Sequence, residues 1–230
     1  MAERWHEPEF TANWDRCIAD ANPSRALQVK MLVGMVSDLY QPGKWIVDLG
    51  FGSGRVEERI FQQRGDVRIV GVDSSAAMID LARERLRPWS SQYQAIQHDL
   101  TKLDSLEMPS GDYQIALSVQ VLHHLPQAAQ RQVYSWVYNR IEKGGHFLIV
   151  DKRSFADAEI DACRAAWNAL EHDPVWRTGR NFDEHLQHER AKGHAPATLA
   201  EQMEWLSAAG FEATCLQAHL DRLLIAARKP

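Results

Sequence analysis

The chain has 230 residues, 45% apolar and 25% charged, the balance of an ordinary globular protein. Disordered, collagen-like and low-complexity readings are therefore excluded, and 31 acidic against 26 basic residues weighs against a surface built for phosphate backbones. Cys17, Cys163 and Cys215 give neither an even disulfide framework nor a metal-ligand spacing, and no run reaches the roughly 20 apolar residues of a membrane helix.

The N-terminal segment Met1–Phe10 is charged and lacks the apolar stretch of a signal peptide, so the expectation is a cytoplasmic protein without a membrane association. Residues 1–40 read as an arm, helical from about Pro23 to Tyr40, in which Trp5, Trp14 and Arg25 are candidates for a lid. Beyond it, short apolar runs alternate with helical segments, the pattern of an α/β fold with a mostly parallel sheet. The predicted strands are Trp45–Leu49, Arg68–Val72, Tyr93–Gln97, Tyr113–Val119, His146–Val150, Glu212–Gln217 and Arg222–Ala227. The predicted helices between them are Gly54–Arg64, Ser75–Leu86, Gln127–Ile141 and Leu199–Gly210, with Ser74 as a cap and Lys143-Gly144-Gly145 as the turn into the fifth strand. One insertion, residues 152–197, holds two helices, near Phe155–His172 and Phe182–Lys192, with no strand between. The whole reads as a single domain, 1–230.

The strongest local signal is Asp48-Leu-Gly50-Phe-Gly52-Ser-Gly54, where a buried strand ends, glycines turn the chain and a helix begins. In an open α/β sheet such a loop lies where ligands bind. The spacing is G-x-G-x-G rather than the dinucleotide pattern G-x-G-x-x-G, and Asp48 stands two residues before the first glycine, where it can accept from an ammonium group. Asp73, nineteen residues beyond Gly54, ends the second strand and suits the two hydroxyls of a ribose. Asp99 follows the third strand, where it fits an adenine amino group or a simple turn.

These residues, together with Gly71-Val-Asp73-Ser74-Ser-Ala-Ala-Met78, His98-Asp99-Leu100 and Ser118-Val119-Gln120-Val-Leu-His123-His124-Leu125, resemble class I S-adenosylmethionine-dependent methyltransferases from about residue 44 onward. The resemblance implies a Rossmann-like, seven-stranded, mostly parallel sheet with the last strand antiparallel, helices on both faces and a helical lid after the fifth strand. It implies S-adenosylmethionine as methyl donor and S-adenosylhomocysteine as product. Asp48, Gly50, Gly52 and Gly54 would hold the methionine part, and Val119 and Gln120 would lie beside it. Asp73 with Ser74 would meet the ribose, and Met78, Asp99 and Leu100 the adenine, although Met78 serves equally as core. Arg25 would pair with the donor carboxylate and Trp14 would cover it. Phe51 departs from the small residue usual in this loop.

The acceptor is implied less directly. Ser118-Val-Gln-Val replaces the Asn/Asp-Pro-Pro-aromatic tetrad of base and glutamine amino-methylating relatives, and no cysteine follows a proline as cytosine-C5 chemistry requires. A nucleic acid is therefore not the expected partner; a small-molecule acceptor is, with the protein a monomer or homodimer. Only Asp151 would serve a magnesium site. His185, His188 and Glu189 have helical spacing open to a metal but read better as a solvated amphipathic helix, so no metal is expected. His123 and His124 are the candidate catalytic bases, and Trp167, Trp176, Arg177 and His185 the candidate acceptor pocket. The tail Pro196–Phe211 resembles both the small-molecule branch and the branch that makes carboxy-S-adenosylmethionine, so that synthesis, RNA modification and a non-catalytic donor-binding role stand as alternatives.

Overall fold

The computed structural model describes residues 2–18, 23–176 and 179–230. After a 3-10 turn at Ala2–His6, the arm forms α1 (Pro8–Ile18) and α2 (Pro23–Leu39). The alternation that follows is β1 (Trp45–Leu49), α3 (Arg55–Gln63), β2 (Ile69–Asp73), α4 (Ala76–Arg85), β3 (Tyr93–Gln97), β4 (Tyr113–Val119), α5 (Gln127–Arg140) and β5 (Ile141–Lys152). The insertion contributes α6 (Ile160–Ala169) and α7 (Phe182–Ala191), and α8 (Leu199–Ala209), β6 (Glu212–His219) and β7 (Arg222–Arg228) complete the order.

The seven strands form one sheet in the order β3-β2-β1-β4-β5-β7-β6. The first five are parallel, and β7 runs antiparallel to both β5 and β6. The central strands read as continuous apolar runs because both faces are covered. Val47, Leu49, Ala116, Phe147 and Ile149 point into a core shared with α5 and α8. Their neighbours Ile46, Ile115, Leu117, Leu148 and Val150 point into a second core under α2, α3 and α4.

Three details correct the sequence reading. Ser75, not Ser74, caps α4: its hydroxyl accepts the Met78 N–H, while Ser74 is exposed. The fifth strand begins at Ile141 rather than His146, pairing Tyr113 with Ile141 before a register shift, so Gly144 and Gly145 lie within the strand. The arm also starts earlier than Pro23, with α1 seated on the sheet's helices. None of the described helices is long and apolar enough to cross a membrane.

The chain order reverses direction between β1 and β4, which opens a crevice at their carboxyl ends, the usual ligand position in such a sheet.

Candidate functional site

The glycine loop crosses this crevice. Gly50, Gly52 and Gly54 have φ values of 79°, 59° and 77°, a backbone region that L side chains rarely adopt. At Gly50 a side chain would also run into Val121, which faces the loop from the tip of β4. Phe51 is buried against the bare backbone of Gly71 and edge-on to Tyr93, so the missing side chain at Gly71 is what lets this loop carry a phenylalanine.

Beneath the loop lie two carboxyls, Asp48 at the end of β1 and Glu57 in the first turn of α3, both 1% exposed or less. With both ionised, Asp48 Oδ1 and both Glu57 oxygens would be buried without a donor. Burial first, and then the facing carboxyl, pushes Glu57 well above the usual carboxylate range; burial also raises Asp48. One proton held between them joins two of these oxygens and leaves a Glu57 oxygen still without a donor. Glu57 carries no sequence signal of its own; only the placement of α3 brings it under Asp48.

Asp73 ends β2 with both oxygens engaged by the backbone, Oδ2 accepting from Gly52 N at 3.0 Å and Oδ1 from Ser75 N at 2.9 Å. Burial raises its pKa. Asp99 lies at the next strand tip and caps a 3-10 turn by accepting from Thr101 N at 2.9 Å and its hydroxyl at 2.8 Å. Leu100 and Met78 are buried, and Val119 is partly buried at the end of β4. Gln120, with φ 61°, accepts from Arg222 of β7 at 2.6 Å. Arg25 is buried near Arg222, Arg59 and Arg55; burial, then these like charges, lowers its pKa to about 10.

The arm closes over the loop. Asp15, 6% exposed, accepts from Arg55 Nε and Arg85 at 2.8 Å each and from the Ser53 hydroxyl. Burial pushes this carboxyl up, but the hydrogen bonds from Arg55, Arg85 and Ser53 outweigh it and hold the pKa at about 2. The Ser75 hydroxyl donates to the Trp5 carbonyl, and the Trp5 ring lies 5.1 Å from Trp14 and 5.9 Å from His124. Trp14 is thus in the arm layer the sequence assigned it, but its ring meets Trp5. Asp15 was not legible, since an acid in an amphipathic arm looks like surface.

On the acceptor side, a 3-10 turn after β4 carries His123 and His124. His123 is buried and its Nδ1 lies 2.5 Å from Asp151 Oδ1 at the end of β5. Burial raises Asp151, and the imidazole beside it more than reverses that. His124 keeps an exposed portion; desolvation of its ring and then the neighbouring His123 and His194 lower its pKa. His194, from the end of the insertion, brings its Nδ1 to 2.7 Å from Glu189, which Lys152 also engages at 2.6 Å.

The predicted pocket residues fall inside the insertion. Trp167 is 4% exposed, lies 4.2 Å from the ring of His185 and donates to the Arg180 carbonyl at 2.8 Å. His185 is buried beside Asp221, with 3.5 Å between its Nε2 and Asp221 Oδ2. Trp176 lies 5.1 Å from the His219 ring at the end of β6, and Arg177 lies outside the described residues. α7 is amphipathic, with Phe182 and His185 buried and Asp183, Glu184, Gln187 and Arg190 exposed, and Glu189 points to Lys152 and His194 rather than to His185 and His188.

Residues 46–145, which contain the loop, Asp73, Asp99 and the two histidines, match the family described as a methyltransferase domain. The match covers less than half of the chain. Curated relatives of the chain include the carboxy-S-adenosyl-L-methionine synthases of Campylobacter lari, 23% identical over 66% of this chain, and Sodalis glossinidius, 24% identical over 84%. The match spans 64% of the first relative's length and 71% of the second's. Among solved structures, the Bacillus subtilis YcgJ protein superposes with a TM-score of 0.62 at 16% identity, covering 89% of this chain and 99% of that one. Human N-acetylserotonin methyltransferase, solved in complex with S-adenosylmethionine, gives 0.64 at 14% identity over 98% of this chain and 57% of its own. These neighbours share the fold of this chain.

Proposed function

We propose that the protein transfers a methyl group from S-adenosylmethionine to a small-molecule acceptor and releases S-adenosylhomocysteine. The observation that carries this reading is the buried, donor-poor carboxyl pair Asp48–Glu57 directly under a left-handed glycine loop. A ligand with a cationic amino-acid end supplies the donors those oxygens lack. Asp73 at the β2 tip fits a ribose, and Asp99 and Met78 line the way to an adenine.

When bound, S-adenosylmethionine supplies an electrophilic methyl on a sulfonium. What the chain adds is position and dryness: the arm and the insertion cover the two sides of the crevice, and a displacement in line gains chiefly from orientation and exclusion of water. His123 is too enclosed to reach an acceptor; Asp151 fixes its ring, while His124, partly exposed, stands nearest the acceptor side. The test is a thermal-shift comparison of S-adenosylmethionine, S-adenosylhomocysteine and NAD. At about one hundred times the dissociation constant, a ligand adds about 2.7 kcal/mol, a rise of roughly 5–10 °C for a chain of this size. Stabilisation by both sulfur compounds and none by NAD is expected; no response to either sulfur compound sinks the proposal.

Carboxy-S-adenosylmethionine synthesis is the second reading. The relatives' names favour it, and so do Arg25 and Arg222, two arginines at the β4 and β7 end able to meet an added carboxylate. Mass spectrometry of the donor recovered after incubation with the enzyme and carboxylate-bearing candidates separates the two.

A further inference from the structure

We propose that His123, His124 and His194 form a binding site for a borderline divalent transition ion, zinc foremost, with Asp151 and Glu189 as the outer layer orienting two of the imidazoles. The three rings are mutual neighbours, with centroids 4.1, 4.6 and 4.8 Å apart. One ligating nitrogen from each lies within 4.8 Å of the others, and no other group of three such side chains converges among the described residues.

Two features separate this cluster from three packed rings. His123 and His194 each direct Nδ1 at a carboxylate oxygen, at 2.5 and 2.7 Å. An ionised carboxylate only accepts, so each ring carries a hydrogen on Nδ1; in the neutral imidazole this leaves the Nε2 lone pair bare, the form of carboxylate-to-histidine-to-metal relays. Second, Nε2 of His194 is buried and has no hydrogen-bond partner among the described residues, on a side chain only 5% exposed. A buried, partnerless ring nitrogen on a side chain that neighbours two further imidazoles is a place for a cation.

Three neutral imidazoles are a sufficient protein donor set for zinc, which then keeps a fourth position for water or a ligand. Nitrogens at about 2.0–2.1 Å from an ion stand about 3.4 Å from one another in tetrahedral geometry. His124, on a single turn with part of its surface exposed, is the ring free to close the difference. Lys152 and Lys192 contact Glu189 at 2.6 and 3.5 Å, so the two ammonium groups are matched by the two outer carboxylates, Glu189 and Asp151. The cluster needs the insertion: the Ala195 N–H donates to the His123 carbonyl at 2.9 Å, and Gln130 holds the Ala195 carbonyl at 2.8 Å, which seats His194. Its place at the β4 tip puts the fourth position on the acceptor side. Resting on the methyl-transfer reading for this step alone, the acceptor class is then an alcohol or phenol, whose oxygen binds such an ion most readily when deprotonated.

The test is titration of chelator-stripped full-length protein with Co2+, read by visible absorption, followed by displacement with Zn2+. One equivalent per chain with tetrahedral ligand-field bands, lost on adding Zn2+, is expected. His124→Ala and His194→Ala should each weaken binding at least about 100-fold, and Glu189→Gln about 10–100-fold. His188→Ala, on the same helix as Glu189 but outside the cluster, should bind as wild type. No uptake by folded wild-type protein, or unchanged affinity in His124→Ala and Glu189→Gln, overturns the site. Donor calorimetry runs alongside: donor binding without metal uptake removes this proposal alone, and metal uptake without donor binding removes the methyl-transfer reading alone.

Discussion

Replacing Asp15 by Asn keeps the shape of the side chain and removes the charge that Arg55 and Arg85 share. The carboxyl sits at about 2 in the folded protein against an ordinary value of 3.8. At about 1.4 kcal/mol per pKa unit, the difference is about 2.5 kcal/mol, which partial solvent exposure of the arginine partners reduces to about 2 kcal/mol of stability. Because the folded value is the lower one, that stability is complete well above 3.8 and drains away as pH falls toward 2. The two arginines keep 30% and 17% of their side chains exposed, so water partly replaces the lost partner and little further cost accrues. Asp15→Asn is therefore expected to lower the unfolding free energy by about 2 kcal/mol at pH 7 and by about half as much at pH 3. Urea denaturation of both proteins at the two pH values measures this, and other titrating groups cancel in the difference. Protease cleavage within the arm should accelerate about 30-fold, the population equivalent of 2 kcal/mol. A difference independent of pH, or below about 0.5 kcal/mol, refutes the assignment of Asp15 as the arm's anchor.

Asp73→Ala should weaken S-adenosylmethionine binding by roughly 1.5–3 kcal/mol, the scale of a hydrogen bond to a charged group, seen by calorimetry; unchanged affinity rules out the ribose role. Asp48 and Glu57 have raised folded pKa values, so their contribution is full below the ordinary carboxylate range and is lost as pH rises. Glu57→Gln should therefore flatten the fall in ligand-free stability toward alkaline pH, checked by thermal melts across pH, and an unaltered profile counts against a shared proton. Gly50→Ala combines a positive φ with collision against Val121 and should cost about 2–4 kcal/mol, which Val121→Ala should partly restore; additive losses in chemical denaturation would show that the two positions do not touch. Trp167→Ala should destabilise the insertion by about 3–5 kcal/mol because the ring is buried on His185 and Phe182, and proteolysis confined to residues 152–197 would report it.

What the sequence disclosed follows the range of the forces involved. Strands β1 and β4 are legible to the residue because runs covered on both faces leave no ambiguity, and the edge strand β3 because its short run interleaves apolar with polar residues. The glycine loop was legible because its backbone angles demand that residue type. The start of β5 was missed because Gly144-Gly145 reads as punctuation, whereas pairing of Ile141 with Tyr113 carries the strand through it. Glu57, Asp15 and His194 escaped for one reason: each acquires its role from a residue between 9 and 71 positions away, Asp48, Arg55 with Arg85, and His123 with His124 respectively. No local period encodes such a meeting.

The antiparallel strand has a consequence for how the molecule is made. β7 lies between β5 and β6, and supplies Leu223, Ile225 and Ala227 to one core and Leu224 to the other. During synthesis the long edge of β5 emerges some seventy residues before its partner, with unpaired backbone along a stretch destined for complete burial. The nascent chain must shield that edge over the interval, and Arg222, which holds Gln120 at the crevice, arrives only with the strand that closes it. A ribosome stalled before residue 222 would thus carry a glycine loop whose neighbouring Gln120 still lacks its partner.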